Sequence, residues 1–467
     1  MRGAGPQRPQ IVYYQAGVGT GPSLTEKLLG GGTGSGVSEN VREAYGFLAN
    51  NYQHGDAVYL TGFSRGAFTA RCIAALVDAI GLLTKTAMRH FYRVFEDFEH
   101  AGEEGYRTSI TIEIPEFHIE LSSAGKSLIE RRKEYLAEYF RELNRLHKTR
   151  EIPIQAIGVW DTVGALGIPT TALLQRVGLP AFLADPLMTP NPYRFTDTTI
   201  GKNVRHAFQA LALDERRSSF SPTIWEQPDA ESDQARTVLK QVWFPGAHAD
   251  VGGSEADSGL ADVSLAWMMS ELETAGLEFD EEYLADQWRL NRWEYAERAA
   301  AESSSSCSSL IASASNTLLR LLRSPLSFLP TTANHKDAAD DDGASDADLT
   351  PAVRALARRN DTSPPEPHWA LTRLHDSAAD TITALGGLAP RAPLAAHRTD
   401  YATGKRLGSA DALLRNTRER VHASVRARVQ ARGEGFDGVG VYGADALRRN
   451  GWVVERKKDV DGAGWRK

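Results

Sequence analysis

The chain has 467 residues, of which 42% are hydrophobic, 24% charged and 8% aromatic, a composition typical of a globular protein with a sizeable core. The net charge of −7 argues against a general nucleic-acid-binding protein, because such proteins carry a basic surface. The sequence shows neither the apolar segment of a signal peptide nor a membrane span of about 18 apolar residues. The two cysteines, Cys72 and Cys307, lie in dissimilar sequence. We therefore expect no disulfide and a cytoplasmic protein.

Strand and helix signals alternate along the first part of the chain. Residues 11–14 (Ile-Val-Tyr-Tyr) are predicted to form a short buried strand, and Ser38 is predicted to cap the helix that follows a glycine-rich segment. This alternation predicts an α/β fold with a mostly parallel central sheet flanked by helices. The further predicted elements are strands at 58–60, 154–160 and 237–244 and a helix at 260–277 that Gly276 closes.

Changes in composition divide the chain into three predicted parts. The core spans 1–295 and contains a charged, helical insertion or cap at about 85–150. Residues 296–366 are of low complexity and are expected to be largely disordered. Within them, 310–330 is apolar with two arginines and is interpreted as a docked helix or a short membrane-surface helix. Residues 367–467 are predicted to be a helical extension that packs on the core.

Residues 62–66 read Gly-Phe-Ser-Arg-Gly between a predicted strand and a predicted helix. In that position, Gly-x-Ser-x-Gly is typical of a nucleophile elbow, in which the serine occupies a strained turn. We expect both Gly62 and Gly66 to be required, because side chains there would collide with the neighbouring strand and helix. The competing interpretation is that Ser64 is an ordinary serine at the start of a helix.

A serine nucleophile needs a base and a carboxylate that orients the base. In α/β-hydrolases these partners follow the serine in the order acid, then histidine, each just beyond the end of a strand. Asp161 directly follows the predicted strand that ends at Trp160, and His248 follows the strand that ends at Phe244. Ser64, Asp161 and His248 are therefore the candidate catalytic residues, although Asp161 could instead cap a turn.

Three other residues compete for these roles. Asp250 is a rival acid, but it stands two residues from His248, a spacing better suited to holding the loop or a bound ion. His206 lies in VRHAFQALALDE, which is interpreted as helical, so a packing role is favoured for it. His422, in TRERVHASVRAR, is the remaining rival base.

The oxyanion that forms during acyl transfer needs two backbone N–H donors. One is expected from Arg65, the residue after the nucleophile, and the other from the loop at 15–21, where Ala16 and Gly17 are the candidates. The alternative for this loop is a flexible turn.

No cofactor or metal is expected. The glycine-rich residues 30–36 are not followed by the Gly-Lys-Ser/Thr of a phosphate-binding loop, and the glycines at 17–21 do not match a dinucleotide-binding pattern. The histidines, cysteines and carboxylates do not show zinc-ligand spacing.

Several segments together resemble the domain of unknown function 2235 family, over about residues 10–275. That family includes the catalytic domain of bacterial type VI secretion phospholipase effectors and many fungal members. The resemblance implies an α/β-hydrolase fold and phospholipid ester cleavage by Ser64, Asp161 and His248, and TRERVHASVRAR resembles the C-terminal portion of fungal members. The segments that carry it are IVYYQAGVGTG, LTGFSRGAFTAR, GVWDTVGALG, RHAFQALALDERRSSFSPTIW, VWFPGAHADVGGS and LADVSLAWM.

The expected function is a serine hydrolase that cleaves carboxylic esters, with lipid acyl esters as substrates. We expect no nucleic-acid partner, and residues 85–150 and 310–330 are candidates for a lid or for peripheral membrane contact. The alternative is a catalytically inactive hydrolase fold used for binding or scaffolding. Two features favour this alternative: the low-complexity insertion, and the N-terminal strand ending in Phe-Asp-Gly-Thr that family members carry and this sequence lacks.

Overall fold

The structure, a computed structural model, describes the greater part of the chain in separate ranges. Its contacts divide the chain into two compact units, one of 1–280 with 369–467 and the other of 281–368. The predicted low-complexity region, including 310–330, lies outside the described residues. The described ranges are 9–17, 35–119, 126–163, 199–227, 237–255, 257–280, 283, 371–377, 388–395, 413–433, 435–436, 439–449, 453–455 and 464–466.

The strands of the described residues form one parallel sheet and two short antiparallel pairs. In chain order they are β1 (Val58–Phe63), β2 (Leu82–Leu83), β3 (Thr149–Arg150), β4 (Ile154–Trp160), β5 (His206–Ala212), β6 (Val238–Phe244), β7 (Glu419–Val421), β8 (Val453–Glu455) and β9 (Gly464–Arg466). The central sheet has the order β1-β4-β5-β6-β7, and β2 pairs with β3 and β8 with β9. Phe63 is in register with Trp160, and Ala212 with Phe244, so the carboxyl ends of these strands meet at one edge.

Helices connect the strands and cover the sheet. The α-helices of the described ranges are α1 (Ser35–Asn51), α2 (Arg65–Ile80), α3 (Phe91–Glu99), α4 (Leu128–Arg145), α5 (His248–Gly252), α6 (Gly259–Thr274), α7 (Ala423–Gln430) and α8 (Asp445–Arg449). Short 3-10 turns occupy Ala87–His90, Ile110–Ile112 and Ser218–Phe220. Helix α4 begins with a capping box, in which Ser127 and Glu130 satisfy each other's backbone N–H groups.

The two faces of the sheet bury different sets of side chains, as the alternation of a β-strand requires. Ile157 and Val159 of β4 pack on one face in a cluster with residues of α1 to α4. Ala156 lies on the other face in a cluster with Met268 of α6. There the helix approaches so closely that a Cβ at Gly158 would lie 2.8 Å from the Met268 sulfur. The predicted α/β-hydrolase-like fold, a parallel sheet flanked by helices, is confirmed.

The predicted strand at 11–14 is wrong. These residues are irregular and exposed, with Val12 and Tyr14 each 86% accessible to solvent. Tyr13 stacks on Phe47 of α1, with ring centroids 4.7 Å apart, and Gln15 donates a hydrogen bond to Glu43 of the same helix. The apolar residues 11–14, which suggested a buried strand, instead lie next to the surface of α1.

The interpretation of the residues around His206 as helical is also wrong, because His206 begins β5. This strand pairs in parallel with β4 and β6, and all six of its residues after His206 are completely buried. A strand buried on both faces has a continuous apolar sequence, which cannot be distinguished from a helix by periodicity. The predicted helix cap at Ser38 is also displaced, since α1 begins at Ser35 and the Ser38 hydroxyl donates to Glu99.

The described parts of 371–449 pack against the later strands of the central sheet, β5 and β6. Val425, Tyr442 and Leu447 share a buried cluster with Leu211 of β5 and Trp243 of β6. Residues 367–467, predicted to be a helical extension, contain β7, which extends the central sheet, as well as α7. None of the helices in the described ranges is long and apolar enough to cross a bilayer.

Candidate active site

Ser64 stands on a sharp turn between β1 and α2. Its backbone has φ 58° and ψ −118°, a conformation that side-chain-bearing residues rarely adopt. Its N–H donates to the Trp160 carbonyl at 3.0 Å, and its own carbonyl accepts from Phe68 at 3.2 Å. These bonds on either side of the residue hold a backbone that would otherwise relax, so the side chain projects beyond the sheet edge.

The two glycines of the Gly-x-Ser-x-Gly sequence have different surroundings. A Cβ at Gly62 would lie 2.4 Å from the Gly66 carbonyl oxygen, so the turn cannot accept a side chain there. A Cβ at Gly66 would meet nothing within 4 Å. The expectation that both glycines avoid a collision is therefore correct for Gly62 and wrong for Gly66, which faces open space.

Asp161 lies directly after β4 and is completely buried. Its φ of 36° is in the left-handed region, and its N–H donates to the Ala210 carbonyl at 2.7 Å. One carboxylate oxygen, Oδ1, accepts the Ala212 N–H at 3.0 Å. The other, Oδ2, lies 2.6 Å from His248 Nδ1 and 2.7 Å from Arg391 Nη2.

His248 joins Asp161 to Ser64 at the start of α5. Its Nε2 atom lies 2.8 Å from the Ser64 hydroxyl oxygen, on the side of the ring opposite the Asp161 contact. Burial alone would raise the pKa of the Asp161 carboxyl, but Arg391 and His248 lower it below its usual value. Because an ionised carboxylate can only accept, Nδ1 must carry the proton and Nε2 is left to accept from the serine.

Aromatic side chains enclose the His248 ring. The Phe63 ring lies 4.6 Å from it at a tilt of 33°, and Phe220 meets it edge-on at 4.8 Å. Phe63 can lie there because a Cβ at Gly252 would be 2.0 Å from its ring, so only glycine fits at that position of α5. These rings keep water from the imidazole and restrict its rotation.

Carboxylates from the turn after β5 hold the loop that carries His248. Glu215 accepts the His248 backbone N–H at 3.2 Å, and Asp214 accepts the Gly246 N–H at 2.8 Å. Burial opposes the ionisation of Glu215, but its bonds with Arg217 lower its pKa. Asp250 accepts the Ala247 N–H at 2.9 Å and so belongs to the loop itself.

Residues far along the chain reach this site, and the sequence contains no local signal for them. Arg391 contacts Asp161 across a separation of 230 residues. His375 Nδ1 lies 2.5 Å from Asp250 Oδ1, and that contact raises the pKa of His375. The Ser377 hydroxyl donates to Glu215 at 3.0 Å.

The residues predicted to form the oxyanion hole differ in how close they lie to Ser64. Arg65 is the first residue of α2, with its backbone N–H adjacent to Ser64 in the chain. Ala16 and Gly17 are exposed at the end of the 9–17 segment, whose described contacts include Glu43 and Phe47 of α1.

The rival base His422 occupies a different place. Its ring stacks on Phe244 at 4.5 Å, and Nδ1 lies 2.8 Å from the Ser424 hydroxyl at the start of α7. Burial lowers its pKa to about 4.

His206 lies at the opposite end of β5 from Asp161, with Nδ1 2.9 Å from the Gln155 carbonyl. Among the described residues there is no group of three or more His, Cys, Asp or Glu side chains that could hold a metal ion.

Comparisons with known proteins agree with the resemblance seen in the sequence. Residues 1–271, more than half of the chain, match the family described as "T6SS, Phospholipase effector Tle1-like, catalytic domain". The uncharacterized protein YEL023C of Saccharomyces cerevisiae is 25% identical over 232 residues, which are 46% of this chain and 27% of the yeast protein. The chain thus spans about a quarter of the length of that relative. No solved structure matches the chain.

Proposed function

The chain belongs to the family of Tle1-like phospholipase effector catalytic domains, and we propose that it is a serine hydrolase that cleaves carboxylic esters of lipids. The observation that carries the proposal is the hydrogen-bonded line from Ser64 through His248 to Asp161, with Ser64 on a strained turn between strand and helix. A surface serine in an ordinary helix cap needs neither the strain nor the buried partners.

In the proposed reaction, Ser64 Oγ attacks the ester carbonyl carbon while His248 Nε2 takes the hydroxyl proton. The imidazolium that forms is stabilised by Asp161, which is ionised and 2.6 Å from Nδ1. His248 then gives the proton to the leaving alcohol, which departs as the acyl-enzyme forms. A water molecule attacks that ester by the same route in reverse, which releases the fatty acid and restores Ser64.

The negative charge on the tetrahedral intermediate needs N–H donors close to Ser64. The Arg65 N–H at the first position of α2 is the proposed first donor, and the positive end of a helix of 16 residues favours an anion at that position. Ala16 or Gly17 remains the proposed second donor. The open space beside Gly66 leaves room for a substrate next to the nucleophile.

A lipid phosphate suits the charge beside Ser64. The Arg65 side chain is half-buried, burial lowers its pKa, and the ion pairs of the described residues do not include it. A desolvated cation of this kind gains more from an anionic substrate group than a cation already paired with a carboxylate. This favours phospholipids over neutral esters as substrates.

Fluorophosphonate labelling tests the proposal, because such probes react only with an activated serine. We expect the wild-type chain to be labelled and both Ser64→Ala and His248→Ala to lose labelling, with His422→Ala as a matched histidine control that keeps it. Hydrolysis of short-chain esters and of phospholipid vesicles should fall by about a thousandfold or more in the first two variants. A folded wild-type chain that is never labelled would instead support the binding or scaffolding alternative.

A further inference from the structure

We propose that Arg391 is a positioning residue of this site, whose guanidinium holds the Asp161 carboxylate and sets the pH range in which His248 accepts the Ser64 proton. The inference deepens the proposed function and rests on it. It also implies that residues 371–377 and 388–395, which lie beyond the part that matches the family, complete the hydrolase site.

The contact between Arg391 and Asp161 is a buried ion pair. The side chains are 2% and 0% exposed, and Arg391 Nη2 lies 2.7 Å from Asp161 Oδ2. That oxygen is the same atom that contacts His248 Nδ1. Because both groups contact the same buried oxygen, the positive charge of the guanidinium offsets part of the carboxylate charge that acts on the imidazole. An ion pair at the solvent-exposed surface could not have this effect.

The guanidinium has two opposing effects on the site. It helps to keep the buried carboxyl ionised, as do the contacts with His248 and with the Ala212 N–H, which would remain without it. It also offsets part of the negative charge of Asp161, so that charge stabilises the imidazolium of His248 less strongly. Arg391 therefore stabilises the geometry of the acid while it moderates the basicity of the histidine.

Two further contacts tie the same C-terminal segment to the His248 loop. Ser377 donates to Glu215 Oε1, while Glu215 Oε2 accepts the His248 N–H. His375 contacts Asp250, two residues beyond His248. The charged or titratable side chains around His248 are Asp161 after β4, Asp214, Glu215 and Arg217 after β5, Asp250 in α5, and His375 and Arg391 in the C-terminal segment.

The test compares Arg391→Gln, which removes the charge, with Arg391→Lys, which keeps it. In Arg391→Gln the full charge of Asp161 acts on His248, so the imidazole holds its proton to higher pH. We expect the acidic limb of the pH profile of kcat/KM for a short-chain ester to move up by about one pH unit. We expect Arg391→Lys to keep the limb near its wild-type position, with a smaller loss of kcat.

A purely structural role for Arg391 gives a different pattern. The rate would then fall at every pH with the limb unmoved, and lysine, which cannot reproduce the forked geometry, would rescue nothing. Circular dichroism and the melting temperature of both variants show whether each is folded. Either an unmoved limb in folded Arg391→Gln or an equal shift in both variants overturns the proposal.

A separate readout distinguishes this inference from the proposed function. Wild-type fluorophosphonate labelling tests the triad, whereas NMR titration of the His248 imidazole in wild type and Arg391→Gln tests the electrostatic effect without turnover. If the wild type is not labelled, the titration midpoint should still rise in the variant. A midpoint that does not rise contradicts the role of Arg391, whatever the activity.

Discussion

Asp161 and Asp214 lie at the carboxyl ends of the neighbouring strands β4 and β5, and both are almost completely buried. Each accepts a backbone N–H from the strand edge, and each receives a side chain from the C-terminal part of the chain. Their pKa values nevertheless move in opposite directions. That of Asp161 is lowered, whereas that of Asp214 is raised to about 7.

The difference comes from the partner that the C-terminal residues supply. Burial raises the pKa of both carboxyls, but Asp161 meets the Arg391 guanidinium directly, whereas Asp214 meets only the Tyr442 hydroxyl at 2.9 Å. Arg428 also favours the ionised form of Asp214, but its guanidinium donates to the Thr372 carbonyl, and Asp250 opposes it. Asp161 thus keeps its charge because Arg391 and His248 both contact it directly, and that charge is what stabilises an imidazolium.

The largest expected effect comes from removing the charge of Asp161. In Asp161→Asn, the amide can no longer stabilise an imidazolium, and it favours the wrong tautomer of His248. We therefore expect kcat to fall by a factor of about 10⁴ and fluorophosphonate labelling to become very slow. Steady-state hydrolysis of a short-chain ester at pH 8 measures the change.

Asp214→Asn is the matched control, because it makes the same substitution at the neighbouring strand end. If charge is what separates the two aspartates, this variant keeps most of its activity. Comparable losses in the two variants would show that both carboxyls act only by holding the loops of the site.

Short-range signals predict the part of the site that the parallel sheet assembles. Ser64, Asp161 and His248 each lie within four residues of a strand end, and parallel strands bring their carboxyl ends to one edge whatever their separation in sequence. Arg391 has no such signal. It stands in an irregular segment 230 residues from Asp161, and only the packing of the C-terminal residues brings it there.

Elements that depend on their neighbours are harder to predict. Residues 11–14 have the composition of a strand, but they have no strand partner in the described chain and lie against a helix. The residues from His206 form a strand because β4 and β6 pair with both of its edges. In both cases the pairing, which is a tertiary property, decides the local structure.

The second effect in size concerns stability and pH. Since the pKa of Asp214 is about 7 in the folded chain and near 3.9 in an unfolded one, the unfolded state loses its proton first as the pH rises. The contribution of Asp214 to the free energy of unfolding therefore decreases as the pH rises from about 4 to 7, and it is lowest above pH 7.

Asp214→Asn removes this dependence, because asparagine stays neutral and can still accept from Gly246 and Tyr442. We expect the variant to gain stability relative to wild type from pH 5 to pH 8, by roughly 3 kcal/mol as an order of magnitude. Urea unfolding at the two pH values measures the difference. If the stability difference between variant and wild type is the same at both, Asp214 is not the titrating group.

The smallest effect comes from Tyr442→Phe, which deletes the hydroxyl that donates to Asp214. This bond favours the ionised carboxyl, and a hydrogen bond to a charged acceptor is about twice as strong as one to a neutral acceptor. The loss should therefore be about 1 kcal/mol at pH 5, where Asp214 is protonated, and about 2 kcal/mol at pH 8. In an Asp214→Asn background the cost of Tyr442→Phe should become independent of pH. If the pH dependence survives in the double variant, the charge that Tyr442 stabilises lies on another group. Asp445, which also raises the pKa of Tyr442, is then the first group to test.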